Sequence, residues 1–394
     1  LKNLDNWRRI KIAYLTVNDP LDKRSWSGTT YYIGQTLQKN VGDVSFLGPI
    51  ELPRYIDKIF RGIAKATRIL FKKEYIPKYS LLMSWYSSRA LKKKMNGQQY
   101  DCICAPAAST ELSYFKTDLP VIYISDTTFK LISTYYKQNF GKMSSFSKWE
   151  ANHLEKRSLQ KSSLTIYSSQ WAAQSAMEDY KISRDKLFVM PLGANMDATP
   201  GRNIIFNKEQ NDCPVLLYLA VEWERKGGNI AFEALKCLHD KYKIRAKLIV
   251  CGCEPPSDVH HPYMEVIPFL NKNIPEDHKR FVELLSLANF LILPTRADCS
   301  LLVACEANAY GVPAITTATG GVPDVVVNDE NGYCLPYEAR GCDYAEMVKK
   351  LFSNKERYHQ LILSSRARFE NKLNWDKWAD SFMQQYQERI LCNS

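Results

Sequence analysis

The 394-residue chain lacks most of the signatures that mark a membrane-spanning, zinc-binding or secreted protein. No apolar run approaches the ~20 residues that a membrane-spanning helix needs. The opening stretch LKNLDNWRRIKIAYL leads directly into a strand and shows no signal-peptide hydrophobic region or cleavage site, which predicts a cytoplasmic protein. The eleven cysteines are scattered, so they read as buried thiols in a reducing compartment and not as a disulfide framework. Cys251 and Cys253 are not a zinc-type pair, and no companion pair stands at zinc spacing. His260 and His261 fall in a Pro-rich loop that reads as solvated rather than metal-binding. A full Gly-x-Gly-x-x-Gly is missing, so dinucleotide binding has little support. Low-complexity tracts and solenoid repeats are missing too.

What is present is an ordinary apolar share of 45%, in a chain longer than one core usually supports. Two domains are the expectation. The net charge of +11 points to anionic partners, either sugar nucleotides or anionic lipid surfaces, with nucleic acid disfavoured.

The most informative stretch is TRADCSLLVACEANAYGVPAITTATGGVPDVV, residues 295–326. The apolar run Phe290 to Leu293 before it reads as a buried parallel strand ending at Pro294. A helix is predicted to end near Tyr310, where Gly311 suits the position after the last turn and Pro313 blocks continuation. A second strand then runs from Val312 to Thr317, Gly320 and Gly321 follow, and Pro323 opens another helix. Two strand ends thus feed two helix starts on one side of a parallel sheet, where free backbone N–H groups attract anions such as a diphosphate. Asp298 and Glu306, eight residues apart, would repel phosphate unless they accept from hydroxyl donors, and sugar and ribose hydroxyls are such donors.

This stretch resembles the donor-binding signature of the family 4 retaining glycosyltransferases. Their motif has two acids eight apart, then a Gly-x-Pro and a Gly-Gly-x-Pro turn. Here the first acid is Asp298 where the family usually has Glu. The resemblance implies an α/β protein of GT-B fold, with two Rossmann-like domains facing across a deep cleft. PLGANMD resembles the family's interdomain turn, with Asn195 in place of its Asp. The expected domains are residues 1–193, with helix 375–394 packing back on them, and a donor domain 194–374.

The same resemblance implies the site residues. Glu306 would hold the ribose hydroxyls and Asp298 the donor sugar. Backbone N–H groups of Cys299, Ser300, Leu301 and Leu302 would meet sugar or phosphate, and the loop at Leu270 would meet the base. Lys226-Gly227 matches a phosphate-gripping Lys-Gly, and Lys226 would neutralise the leaving diphosphate. The family's Arg position falls at Ala220, which leaves Arg225 as the nearby candidate. Two cations at a helix start oppose its dipole and are costly unless an anion lies between them. No Asp-x-Asp occurs, so protein cations are expected to replace a divalent metal, and no cofactor is expected.

The first half is less specific. Gly28, after the strand Ile10 to Val17, allows close approach of a ligand, which the resemblance implies is the donor, through its diphosphate, or else the acceptor, or it serves as a plain turn, with Ser27 or Thr29 as a helix cap. Asp126 ends the strand Leu119 to Ser125, either as an acceptor-binding group or base, or as an Asx-type cap. The loop Ala105 to Thr110 lacks the His that relatives often carry there. Ser147 and Glu150 have capping-box spacing before a helix to Lys161. Over Pro53 to Lys73 a helix is predicted, with Arg54, Lys58, Arg61, Lys65, Arg68 and Lys72 on one stripe. Its opposite face, Ile56, Ile59, Phe60, Ile63 and Leu70, is expected to pack inward. The stripe is a solvated face, or it meets anionic lipid or a lipid-linked acceptor.

These readings combine into an expected retaining hexosyltransferase. Its donor is a UDP-sugar, UDP-glucose first, and its acceptor a glycan or lipid-linked saccharide. Its role is cell-surface polysaccharide synthesis at the inner membrane face. The rival readings are a sugar-nucleotide epimerase or phosphorylase on the same architecture, and a non-catalytic nucleotide-sugar-binding scaffold.

Overall fold

The computed structural model describes residues 9–51, 53–203 and 213–392. Residues 1–8, part of the stretch read for a signal peptide, lie outside the described residues. The chain divides into two compact units, one running to Met190 and including Ala379 onward, the other Pro191–Trp378. Among the described residues no helix is long and apolar enough to cross a membrane.

The first unit is built on a parallel sheet of β1 (Ile10–Tyr14), β2 (Gly42–Phe46), β3 (Cys102–Pro106), β4 (Val121–Ser125), β5 (Leu164–Tyr167) and β6 (Leu187–Val189), in the order β2-β1-β3-β4-β5-β6. The sequences CICAP, VIYIS and LTIY are buried along their whole length, as expected of central parallel strands covered on both faces. Helix Ser145–Lys161 starts two residues before the expected capping box. Its cap is Ser144, whose side chain accepts from the Ser147 N–H. Ser147 Oγ and Glu150 Oε1 instead accept from the N–H groups of Ile76 and Leu81, at 3.1 and 3.0 Å. The motif's side chains therefore tie down a neighbouring segment that would otherwise bury unpaired donors.

Helix Arg54–Phe71 also departs from expectation. Only Ile56 and Phe60 are buried, against Tyr75, Met83 and Tyr86. Ile59, Ile63 and Leu70, expected to pack inward, are exposed. Periodicity marks a face as apolar; whether another element covers it depends on the tertiary fold.

The second unit repeats the architecture with β7 (Val215–Leu219), β8 (Lys247–Cys251), β9 (Met264–Ile267), β10 (Phe290–Leu293), β11 (Ala314–Thr317) and β12 (Gly332–Leu335), all parallel, ordered β12-β11-β10-β7-β8-β9. Helices Gly228–Asp240 and Gly341–Ser353 pack together, and a disulfide joins their Cys237 and Cys342. This corrects the reading of all cysteines as free thiols: the helix pair brings two Cα atoms 105 positions apart to 5.4 Å, within bridging reach. Asn195 is buried, and its side-chain oxygen accepts from Trp375 Nε1 at 3.2 Å.

Candidate functional site

Three loops at the C-terminal ends of adjacent strands build the site in the second unit. β10 lies between β7 and β11, with Leu291 opposite both Leu217 and Ala314. The loop after β7 ends at Gly227, whose φ is +75° and where a Cβ would lie 2.0 Å from Pro294 O. Only glycine lets that loop close onto the start of the β10 loop. The two loops are then bonded: Arg296 N–H donates to Arg225 O at 2.8 Å, and Arg225 Nη1 donates to Ala297 O at 2.8 Å. The third loop joins through Gly321 N–H, which donates to Asp298 O at 3.2 Å.

This closure sets Lys226 against Asp298. Lys226 Nζ donates to Asp298 Oδ2, and both side chains are largely buried. The other carboxylate oxygen accepts from the N–H groups of Ser300 and Leu301, at 3.4 and 3.2 Å. Those two N–H groups, expected to face a ligand, are thus engaged by Asp298. The carboxylate is close in sequence and needs donors once buried. Burial pushes the Asp298 carboxyl up, but the Lys226 charge and hydrogen bond, helped by Arg225, outweigh it and hold the group below the usual carboxylate range. Leu301 adopts φ 34° and ψ 52°, a left-handed conformation rare for a non-glycine residue, just before helix Leu302–Ala309.

Arg225 is held by Glu222 through two hydrogen bonds of 3.0 and 2.7 Å. The two cations before helix Gly228–Asp240 therefore have anions of the protein's own, Glu222 and Asp298, so their presence does not by itself demand a bound phosphate.

One turn along its helix, Glu306 is buried and points to a second lysine. Lys272 Nζ donates to Glu306 Oε1 at 2.6 Å and to Asn195 O at 3.3 Å, and lies 4.2 Å from the centre of the Phe281 ring. Among the described residues, the buried Glu306 Oε2 has no hydrogen-bond partner. Burial raises the Glu306 pKa, and Lys272 offsets part of that. Lys272 and Glu222 went unrecognised at the sequence level. The only signal for Lys272 was its place two residues after Leu270, whose side chain packs against the core of this unit.

The remaining site residues stand in the first unit. Trp26 Nε1 donates to Asp126 Oδ2 at 3.0 Å. Trp26, Ser27 and Gly28 are left-handed in succession, at φ 49°, 55° and 91°. Gly28 itself holds the N-cap position of the helix Thr29–Asn40 that follows. The Asx-cap reading of Asp126 is corrected as well: Thr128 caps helix Phe129–Tyr135, its hydroxyl accepting from Leu131 N–H at 3.3 Å. Among the described residues no group of three or more His, Cys, Asp or Glu is placed to hold a metal ion.

Two parallel six-stranded α/β units with this loop site define the GT-B class of glycosyltransferase folds. Residues 202–368 match the model of the family Glycosyl transferases group 1. A D-inositol 3-phosphate glycosyltransferase of Corynebacterium aurimucosum is 23% identical over 221 residues, 52% of each chain. The chain spans between a third and about half of the length of the curated relatives it first matches. Among solved structures, sucrose-phosphate synthase from Thermosynechococcus elongatus superposes with TM-score 0.66 at 16% identity, covering 98% of this chain and 100% of that one. HepE of Anabaena, solved in complex with UDP and glucose, superposes with TM-score 0.64 at 14% identity, covering 96% and 100%.

Proposed function

We propose that the chain is a retaining glycosyltransferase whose second unit binds a UDP-sugar, UDP-glucose first. It passes the hexose to a glycan or lipid-linked saccharide in cell-surface polysaccharide synthesis at the inner membrane face. The observation that carries this reading is the pair of buried carboxylates in the site, each held by one lysine, with Glu306 Oε2 still lacking a donor. A ribose hydroxyl supplies that donor. The likeness to HepE, whose structure holds UDP, supports the choice of nucleotide.

Lys226 and Asp298 then act by exchange. A buried ion pair is expensive to open when either charge is left alone. An incoming donor supplies both substitutes at once: its diphosphate takes the Lys226 charge, and its sugar hydroxyls donate to Asp298. As the anomeric carbon–phosphate oxygen bond breaks, negative charge grows on the diphosphate beside Lys226, and such electrostatic stabilisation is the main catalytic contribution of this site. The acceptor oxygen bonds the anomeric carbon on the same face, and its proton passes to the departing phosphate oxygen. Protein cations serve this charge, so turnover survives a chelator. Arg225 acts behind Lys226, fixing the loop through Glu222 and Ala297. Leu270 and the backbone of Cys299 to Leu302 border the donor.

Incubation with radiolabelled UDP-glucose and a membrane extract tests the reading. Label in an acceptor product supports it. Epimerised donor, or donor bound and unchanged, replaces it with an epimerase or a scaffold. Absence of UDP binding by calorimetry overturns it altogether.

A further inference from the structure

Helix Arg54–Phe71 has three faces. At about 100° per residue, the buried side chains Ile56 and Phe60 lie on one side. Its basic stripe covers about 80° on another. Between them runs an exposed apolar strip of Tyr55, Ile59, Ile63 and Leu70. The helix ends in Ile69, Leu70 and Phe71, which are 64%, 71% and 68% exposed, followed by Lys72 and Lys73. Residues 54–73 hold seven cations against one acid, Asp57, which pairs with Arg61.

The apolar surface does not stop with the helix. Tyr75 belongs to the same small core as Ile56 and Phe60, and its ring stacks on Phe146 at 6.4 Å, which stacks on Trp149 at 5.9 Å. Phe146 and Trp149 are both more than half exposed. The strap that carries them is fixed here by hydrogen bonds from Glu74 N–H to Lys142 O and from Ser144 N–H to Glu74 O, at 2.7 and 2.8 Å. Exposed aliphatic side chains, two exposed aromatic rings and a cationic border thus share one region of the first unit.

We propose that this region is an interfacial docking surface for an anionic lipid bilayer. The apolar strip, Phe146 and Trp149 enter the boundary between headgroups and acyl chains, while the basic stripe lies among the lipid phosphates. Charge complementarity selects this occupant. A protein groove would cover the apolar strip without needing a row of six cations beside it, and nucleic acid would need the cations without the strip. Amphipathic helices that lie in a membrane plane combine both features, with aromatic residues at the headgroup level. The surface stands independently of the donor-site reading, because binding to a bilayer requires no nucleotide.

Sedimentation of the full chain with vesicles tests it. The comparison is phosphatidylcholine alone against phosphatidylcholine with about one third phosphatidylglycerol, at low and high salt. The wild type is expected to sediment with the anionic vesicles only. Each cation near the surface contributes about a fivefold gain, so Lys58→Glu, Arg61→Glu and Lys65→Glu combined lower partitioning by about a hundredfold or more. Ile63→Ser, Leu70→Ser and Phe146→Ser combined leave weak binding at low salt and none at high salt. All six sites are exposed, and unchanged circular dichroism with unchanged UDP affinity keeps a folding defect apart. A wild type that stays in solution with anionic vesicles overturns the proposal. So does binding that neither triple variant alters, or retention by an RNA or protein column that these variants abolish while vesicle binding persists.

Discussion

The first unit buries three carboxyl groups, Glu111, Glu150 and Glu155, and the second two, Asp298 and Glu306; among the described residues only the second sets a lysine against each. In the first unit Glu111 and Glu155 lie in the core, with no ion-paired partner among the described residues. Burial lifts both to about 7, with only hydrogen bonds and, for Glu111, the more remote charge of Lys78 pulling the other way. Glu155 meets the hydroxyl of Tyr123 at 3.5 Å. In the second unit Asp298 and Glu306 are each in contact with a lysine. A carboxyl kept neutral by burial is a fixture of the core. Asp298, held below the usual carboxylate range beside a buried lysine, is on the proposed reading matched to a ligand that can replace that lysine's contact.

The sharpest way to break this comparison is Lys226→Ala. It removes the cation that, on the proposed reading, faces the growing diphosphate charge, and leaves the buried Asp298 without its lysine. Turnover of labelled donor is expected to fall about a hundredfold to a thousandfold, comparable with loss of a single preorganised donor in other active sites. The chain should also lose about 3–5 kcal/mol of stability from a buried carboxylate left without its cation. Lys226→Met combined with Asp298→Asn restores the stability and not the turnover, which separates the two effects in a urea melt run beside the assay. Turnover unchanged in Lys226→Ala would refute its catalytic role.

The opposite behaviour is expected of Glu155. Its folded pKa of about 7 lies above the ordinary value of 4.5, so the folded state holds the proton more tightly than the unfolded chain. The stability it supplies is complete below the ordinary value and is lost as pH rises through about 7, amounting to about 3 kcal/mol. Glu155→Gln keeps a neutral group of the same shape, so it flattens this slope. Urea midpoints followed across that pH range, at both transitions of the two-unit chain, show whether the slope belongs to one transition and vanishes from it.

How much of this was legible depended on distance along the chain. Asp298, Glu306, Gly311 and Gly320 lie within one short stretch, so their spacing carried the strand–loop–helix geometry directly. Lys226 was legible through its glycine, which the fold needs where Pro294 O leaves no room for a Cβ. Lys272 was not, because it stands 34 residues from Glu306 in a loop without periodicity, and only the closed loop brings the charges together. Cys237 and Cys342 failed for the same reason across 105 residues. For helix Arg54–Phe71 the apolar positions were legible and their exposure was not, since a sequence period does not state what lies opposite a face. At Ser147 and Glu150 a correct local motif lost to donors 69–71 residues away.

Lys272 sharpens the comparison further. If it keeps Glu306 turned toward the ribose, then Lys272→Met weakens UDP binding about tenfold, the value of one charge-assisted contact. The informative readout is selectivity. Wild-type protein should prefer UDP over its 2′,3′-dideoxy analogue, and the variant should lose that preference while inorganic diphosphate binds as before. A purely structural role would weaken all three ligands alike. A wild type indifferent to the ribose hydroxyls would instead remove Glu306 from the donor site.

The smallest effect is expected at Gly28. Its φ of +91° is left-handed, and a Cβ would stand 3.1 Å from Lys23 O and 3.3 Å from the Tyr32 ring. Gly28→Ala therefore costs about 1–2 kcal/mol through backbone strain. Trp26 and Ser27 are already left-handed, so the added strain falls on the segment that holds Trp26 against Asp126. If that segment serves the acceptor, the variant raises the acceptor KM and leaves UDP affinity alone. If Gly28 is only a turn, thermal stability falls and both constants stay in place. Kinetics with acceptor and donor varied in turn distinguish these outcomes, and they decide whether the Trp26–Gly28 segment of the first unit contributes to substrate binding or only to the fold.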